Sequence, residues 1–206
     1  VAARLILTYP DARLRRDSLP VKFDDPKEVE ELENLVNDIR HTMIVHGGLG
    51  LAAPQVNILK RMFVVDVNGL KNYKQFDQEP IKGTLTFINP IVSRIDEPTR
   101  ASEACLSVPG VVYSVERYRV IDLSYQDVTG KLHYCRIVGE DAVVIQHEAQ
   151  HLEGKLFIDM ISSIDKAHFK KSQLKLKPKK EMTEGQVSAL RVANRAKARA
   201  KRKKKT

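Results

Sequence analysis

Gln146-His147-Glu148-Ala149-Gln150-His151 is the stretch on which the reading of this chain turns. Two histidines four residues apart lie one above the other on a helix. Both imidazoles can then reach one ion, and Glu148 stands one step round, facing the ion's open side. This is the H-E-x-x-H arrangement of a metal-activated hydrolase, with the glutamate as general base on the activated water. The motif is short. Alone it reads equally well as a solvated helix that happens to carry two histidines. Its surroundings favour burial. The apolar run Ala142-Val143-Val144-Ile145 precedes it, and Gly154 follows where a helix C-terminus needs a permissive residue. Histidines at the end of such a run need partners.

A catalytic metal site usually has three protein ligands and leaves one position to water. The chain has two cysteines. Cys105 lies in the turn-rich stretch Glu103-Ala104-Cys105-Leu106-Ser107-Val108-Pro109-Gly110, where a thiolate can approach an ion. Composition alone favours a small buried hydrophobe there. Cys135 lies in Leu132-His133-Tyr134-Cys135-Arg136-Ile137, which alternates like a strand, and it reads as structural. A third segment, Gly48-Leu49-Gly50-Leu51-Ala52-Ala53-Pro54-Gln55, follows a long helix. Its glycines allow close backbone approach, Gln55 offers an amide donor, and it lacks the lysine of a phosphate loop. His41, His46, His133 and His168 show no ligand spacing. Ser107 reads as a turn hydroxyl, and Glu103 with Arg117 as a pair that would orient the cysteine loop.

Together the three segments resemble peptide deformylase, a family that carries G-x-G-x-A-A-x-Q, E-G-C-L-S and Q-H-E-x-D-H in this order. Tyr9-Pro10-Asp11-Ala12-Arg13-Leu14-Arg15, Phe87-Ile88-Asn89-Pro90 and Gly154-Lys155-Leu156-Phe157-Ile158-Asp159 resemble further family segments. The resemblance covers roughly residues 4 to 175. It implies hydrolysis of the N-terminal formyl group of formylmethionyl peptides, with release of formate. It implies Cys105, His147 and His151 as metal ligands, and Glu148 as general base. Gln55 and the Leu106 backbone N–H would be the oxyanion donors. Leu49 and Gly50 would pair with the nascent peptide as an added strand, while Val143 and Val144, beside His147, would line the methionine pocket. The implied metal is Fe²⁺, with Zn²⁺, Ni²⁺ or Co²⁺ able to substitute. Two positions depart from the pattern. Ala104 stands where glycine is usual, and would be costly at positive φ. Gln150 stands where aspartate is usual, removing a charge near the ligands.

The rest of the chain fits a cytoplasmic enzyme, or one of an organelle matrix if a presequence has been removed. At 206 residues with 42% hydrophobic composition it can build a normal core. It has no apolar run of membrane-span length, no recognisable signal peptide and no disulfide framework. Asp25-Pro26 is a helix start, apolar residues from Val29 to Met43 follow at helical spacing, and Gly47 ends the helix. Residues 1 to 24 read as irregular. The pattern from about 56 to 138 is β, with Phe63–Val67 and Val120–Tyr125 as strands and Asp127-Val128-Thr129-Gly130 as a hairpin turn. The metal helix spans about 140 to 152, and another begins near Ser162. The expected fold is α+β. The pattern gives antiparallel sheets, a long N-terminal helix and a basic C-terminal helical extension, and the resemblance implies that the sheets surround a central metal-binding helix.

Residues 1–176 are expected to form the catalytic domain and residues 177–206 the extension. Residues 166–206 hold 16 Lys and Arg against Glu181 and Glu184, a net of +14. The remainder carries 19 basic and 24 acidic residues, a net of −5, so the whole +9 comes from the tail. Clustered cations gain by releasing counterions from phosphates. The expected partner of the tail is therefore the ribosome or its RNA. A solubilising tail is the plainer alternative, membrane insertion is not expected, and a monomer is. Two rival functions remain. One is a different metallohydrolase, such as a peptidase. The other is a low-activity deformylase-like protein acting mainly by binding the ribosome or RNA.

Overall fold

In the computed structural model, residues 3–67, 73–75 and 83–173 are described. The first long helix, α1 (Pro26–His46), begins and ends where the sequence indicates. The Asp25 side chain accepts from Lys27 N–H, Pro26 occupies the first turn, and Gly47 closes the helix in the left-handed region at φ 70°. Its buried stripe is Leu32, Val36, Ile39 and Met43.

Eight strands follow: β1 (Gly50–Ala52), β2 (Met62–Asp66), β3 (Tyr73–Gln75), β4 (Thr84–Arg94), β5 (Pro98–Cys105), β6 (Val108–Tyr118), β7 (Val120–Gln126) and β8 (Leu132–Val138). Six form one antiparallel sheet in the order β1-β2-β4-β7-β8-β3, and β5 pairs with β6 in a separate two-stranded sheet. The β pattern begins earlier than the sequence suggests. Once Gly47 has stopped the helix, the glycine-rich stretch extends and β1 pairs with β2, Gly50 opposite Val65. Residues 3–24 are irregular apart from a 3-10 turn at Ala12–Arg15.

Strand β2 explains the layering. Its side chains alternate between two faces, and both are buried. Met62 and Val64 join Leu32, Val36, Ile39 and Met43 in the cluster beneath α1. Phe63 and Val65 join the opposite cluster with Phe87, Ile121, Leu123, Tyr125, Cys135 and Ile137. Phe63 and Phe87 stack at 5.0 Å between ring centroids. The second cluster is closed by α2 (Glu140–His151), which contributes Ala142 and Ile145, with Leu152 just past its end. Helix α2 also touches β1 and β2 of the large sheet and β6 of the small one. It is the central helix that the fold class requires.

The chain divides into two units, residues 1–162 and 163–206. In the second, α3 (Ser163–Gln173) is described, starting one residue after the expected position. The expected domain boundary at 176/177 and the basic extension lie outside the described residues. Among the described residues no helix is long and apolar enough to cross a membrane.

The β7–β8 turn is held by one carboxylate. Asp127 accepts from Thr129 N and Oγ1, from Lys131 N, and pairs with His133 Nε2 at 2.7 Å. Burial is the largest single influence on this group and opposes ionisation. The hydrogen bonds from Thr129, His133 and Lys131 together outweigh it and hold the pKa at about 2. A depressed folded-state pKa stabilises the fold above the ordinary carboxylate range. That contribution should be lost as pH falls from about 4 toward 2. Asp127→Ala should cost about 1–3 kcal/mol at neutral pH and flatten the acid limb of a denaturation curve. An unchanged acid limb would remove Asp127 as its cause.

Candidate active site

Helix α2 presents two faces. Ala142, Ile145 and Ala149 pack into the large-sheet core cluster, while His147, Glu148 and His151 lie on another face of the helix, all buried. Gln146 fixes the helix against β6. Its Nε2 donates to Tyr118 O at 2.6 Å and Ala142 O at 2.9 Å, and its Oε1 accepts from Tyr118 N at 3.1 Å. The sequence offered no role for Gln146. A glutamine bordering an apolar run was the available sign.

Cys105 ends β5 and is buried. Its Sγ lies 3.3 Å from His151 Nε2. One ligand atom each from Cys105, His147 and His151 lies within 4.8 Å of the others. Metal–ligand bonds of about 2.0–2.3 Å at tetrahedral angles put ligand atoms about 3.3–3.6 Å apart. The donor set and the spacing therefore fit a divalent ion. Cys135 has none of this. It is buried in the sheet core with its thiol near Leu123 O, as a structural cysteine should be.

The cluster is braced from behind. His147 Nδ1 donates to Glu103 Oε2 at 2.7 Å, which leaves Nε2 for an ion. Glu103 in turn receives Arg117 Nε at 2.5 Å and Nη2 at 2.9 Å. The expected Glu103–Arg117 pair is thus present, and its continuation to His147 was not foreseen. Burial is the strongest influence on Glu103 and opposes its charge. Hydrogen bonds from Arg117 and His147 prevail and keep its pKa below the usual carboxylate value. Burial would also push His147 down, but hydrogen bonds to Cys105 and Glu103 and the charge of Glu148 raise it to about 10. Burial, then the charge of His147, lower the pKa of His151 well below the ordinary value, so it stays neutral and free to ligate.

Glu148 is buried, and its Oε2 has no hydrogen-bond partner among the described residues. Burial pushes its pKa up to about 7, against the opposing charge of His147. It packs against β1 so closely that a Cβ on Gly50 would lie 2.6 Å from Glu148 Oε1. Glycine at position 50 is required by the carboxylate. Gln55 caps its own turn and faces the cysteine at the same time. Its Oε1 accepts from Ala52 N at 2.8 Å, while Nε2 points to Ser107 Oγ at 3.0 Å and Cys105 Sγ at 3.6 Å. Ser107 is buried, with its hydroxyl held by Gln55, which agrees with its reading as a turn hydroxyl.

Leu49 is exposed beside β1, and its carbonyl accepts from Asp66 N. Leu106 is half-buried against the α1 cluster. Val143 is buried, and Val144 packs against the large-sheet core. Ala104 is exposed at an irregularity in the β5–β6 register. The non-glycine residues at positive φ are Asn57 and Asn89 among those described, so the strain expected at Ala104 is not realised. Gln150 donates to the Met160 sulfur at 3.3 Å.

A sulfur and two imidazoles converging beside a buried carboxylate with one unpartnered oxygen, on a helix between antiparallel sheets, mark a metal-dependent hydrolase. The family described as polypeptide deformylase matches residues 3–167. Peptide deformylase 2 of Xanthomonas axonopodis is 39% identical over 173 residues, covering 82% of this chain and 94% of that protein. The peptide deformylase of Rhizorhabdus wittichii is 41% identical, covering 80% and 89%. Among solved structures, the Thermotoga maritima peptide deformylase has a TM-score of 0.67 at 36% identity, covering 79% of this chain and 99% of that one. The Ehrlichia chaffeensis peptide deformylase in complex with actinonin has a TM-score of 0.72 at 31% identity, covering 86% and 99%. The chain belongs to the polypeptide deformylase family. Its activity is removal of the N-terminal formyl group from formylmethionine of nascent polypeptides, releasing formate. The rival reading as a mainly RNA-binding protein finds no support in these comparisons.

Removing one partner of a buried ion pair strands the other charge, at about 3–5 kcal/mol. Arg117→Leu should therefore lower the melting temperature by roughly 10 °C at this domain size. Differential scanning calorimetry of the variant against the parent measures it. A shift under about 2 °C would show that Glu103 does not depend on Arg117.

Proposed function

We propose that Cys105, His147 and His151 hold an Fe²⁺ ion, for which Zn²⁺, Ni²⁺ or Co²⁺ can substitute, and that deformylation proceeds beside it. The observation that carries this reading is the convergence of the three ligand atoms within 4.8 Å, next to the unpartnered Glu148 Oε2. A bound divalent ion supplies acidification of water and polarisation of the formyl oxygen.

The protein's own groups do the rest. Glu148 accepts the proton of the attacking water and returns it to the leaving amine nitrogen. A carboxylate buried to a pKa near 7 suits both directions of transfer. Water's oxygen bonds to the formyl carbon, the C–N bond breaks, and formate leaves the free N-terminus. The oxyanion formed on the way is met by Gln55 Nε2, held in place by the Ala52 N–H on its other end, and by the Leu106 backbone N–H.

Leu49 and Gly50 receive the peptide as an added strand. Strand β1 lies at the end of the six-stranded sheet, which supports this mode of binding. Val143 and Val144, with His147, line the methionine pocket. The enzyme acts as a monomer in the cytoplasm, or in an organelle matrix, and the basic tail holds it near the ribosome, whose phosphates attract the +14 segment.

Two tests follow. Glu148→Ala should retain metal and lose turnover of a formyl-Met tripeptide, whereas Cys105→Ala should lose both. Metal analysis beside formate release reads the two effects, and a fully active Glu148→Ala protein would sink the mechanism. Deleting residues 178–206 should leave kcat/KM on the free tripeptide within about twofold, because every proposed ligand and donor lies earlier, yet weaken co-sedimentation with ribosomes. Added salt should weaken it for the intact chain too. Salt-insensitive sedimentation that survives truncation would return the tail to a solubilising role.

A further inference from the structure

Gln150 and Met160 take no part in the proposed reaction, yet they meet at one atom behind the site. Gln150 Nε2 donates to the Met160 thioether at 3.3 Å. The same sulfur lies 3.8 Å from Arg117 Nη1. Arg117 gives Nε and Nη2 to Glu103, and Glu103 receives His147 Nδ1. A continuous chain of contacts therefore runs from Gln150 through a sulfur, a guanidinium and a carboxylate to an imidazole that the proposed function makes a metal ligand.

The chemistry of the sulfur gives this chain its meaning. Arg117 is only 2% exposed, so the donors it does not give to Glu103 must find partners inside the protein. A thioether is a weak, uncharged acceptor. It satisfies Nη1 in part without competing for the guanidinium. The only ion pair among the described residues that includes Arg117 is with Glu103. A carboxylate in the sulfur's place would pull the guanidinium fork from Glu103 and reduce the charge that Glu103 brings to His147. Gln150 completes the arrangement. Its Oε1 is buried without a partner among the described residues, so the amide is held by its bond to the sulfur. An aspartate at 150 would instead turn an acceptor toward an acceptor.

We infer that Met160 is a positioning residue for the metal site, and that Gln150 and Met160 work as one neutral unit that keeps Arg117 on Glu103 and, through Glu103, holds the His147 ring. The inference rests on His147 being a ligand. Partners one shell removed from a metal typically change affinity about 10–100-fold when lost. A sulfur two contacts further back should matter less, about threefold to tenfold.

The test uses the zinc-loaded full chain and the rate of zinc loss to a chromogenic chelator. Met160→Leu, which keeps the volume and removes the acceptor, should speed loss about threefold to tenfold. Met160→Gln offers an amide oxygen at similar reach and should restore parental retention. In a Gln150→Leu background the Met160→Leu effect should shrink, because the amide that holds the sulfur is already gone. Equal retention by Met160→Leu and the parent would overturn the inference. So would a lower melting temperature without faster zinc loss, Met160→Gln losing zinc as fast as Met160→Leu, or additive effects of the Gln150 and Met160 changes. Zinc held by Cys105→Ala as tightly as by the parent would overturn the metal-site reading itself, and this inference with it.

Discussion

One buried carboxylate, Glu103, organises the site. It stands on β5, takes both strong donors of Arg117 from β6, and accepts from His147 on α2. The small sheet and the central helix are thereby tied together at a single charged point. Such an arrangement is expensive to bury and is weak evidence for net stability. Its return is geometric. It fixes the imidazole ring and the tautomer that exposes Nε2, and it holds β5 so that Cys105 comes within 3.3 Å of His151. The apolar layers on either side of β2 build the frame. This triad sets the frame's one reactive corner.

The sequence was most readable where structure is local. Asp25-Pro26 and Gly47 marked both ends of α1, and Asp127 to Gly130 marked the β7–β8 turn, because caps and turns use neighbouring residues. His147 and His151 could be paired by eye because four residues make one helical turn. Local context favoured Cys105 over Cys135, a turn-rich stretch against an alternating strand, but its pairing with His151, 46 residues away, is encoded by no local pattern. The strand at Gly50–Ala52 was hidden for a different reason. Three residues show no alternation, and the glycines suggested a turn. The bracing contacts were hidden because each is tertiary. Gln146 meets Tyr118 across 28 residues, and His147 meets Glu103 across 44.

Gln55 shows how a residue that caps a turn is aimed at a distant side chain by the same bond. Its oxygen is fixed by the backbone N–H of Ala52, so the amide cannot rotate without breaking that bond. The orientation of Nε2 toward Ser107 and Cys105 is thus a by-product of the turn. Gly50 follows the same economy in reverse, since an absent side chain makes room for Glu148.

The N-terminal segment gives the site a history as well as a shape. Leu7 N–H bonds to Gln55 O at 2.7 Å and Tyr9 N–H to Ser107 O at 2.8 Å. Gln55 reaches Cys105 across 50 residues, and Cys105 reaches His151 across another 46. Every one of these closures costs chain entropy, and none is rewarded until its far partner has been made. During synthesis the cluster of Cys105, His147 and His151 therefore stays open until the ribosome has passed His151. It closes only when strap, turn, small sheet and helix have all found one another, so the convergence of these three side chains doubles as a certificate of folding.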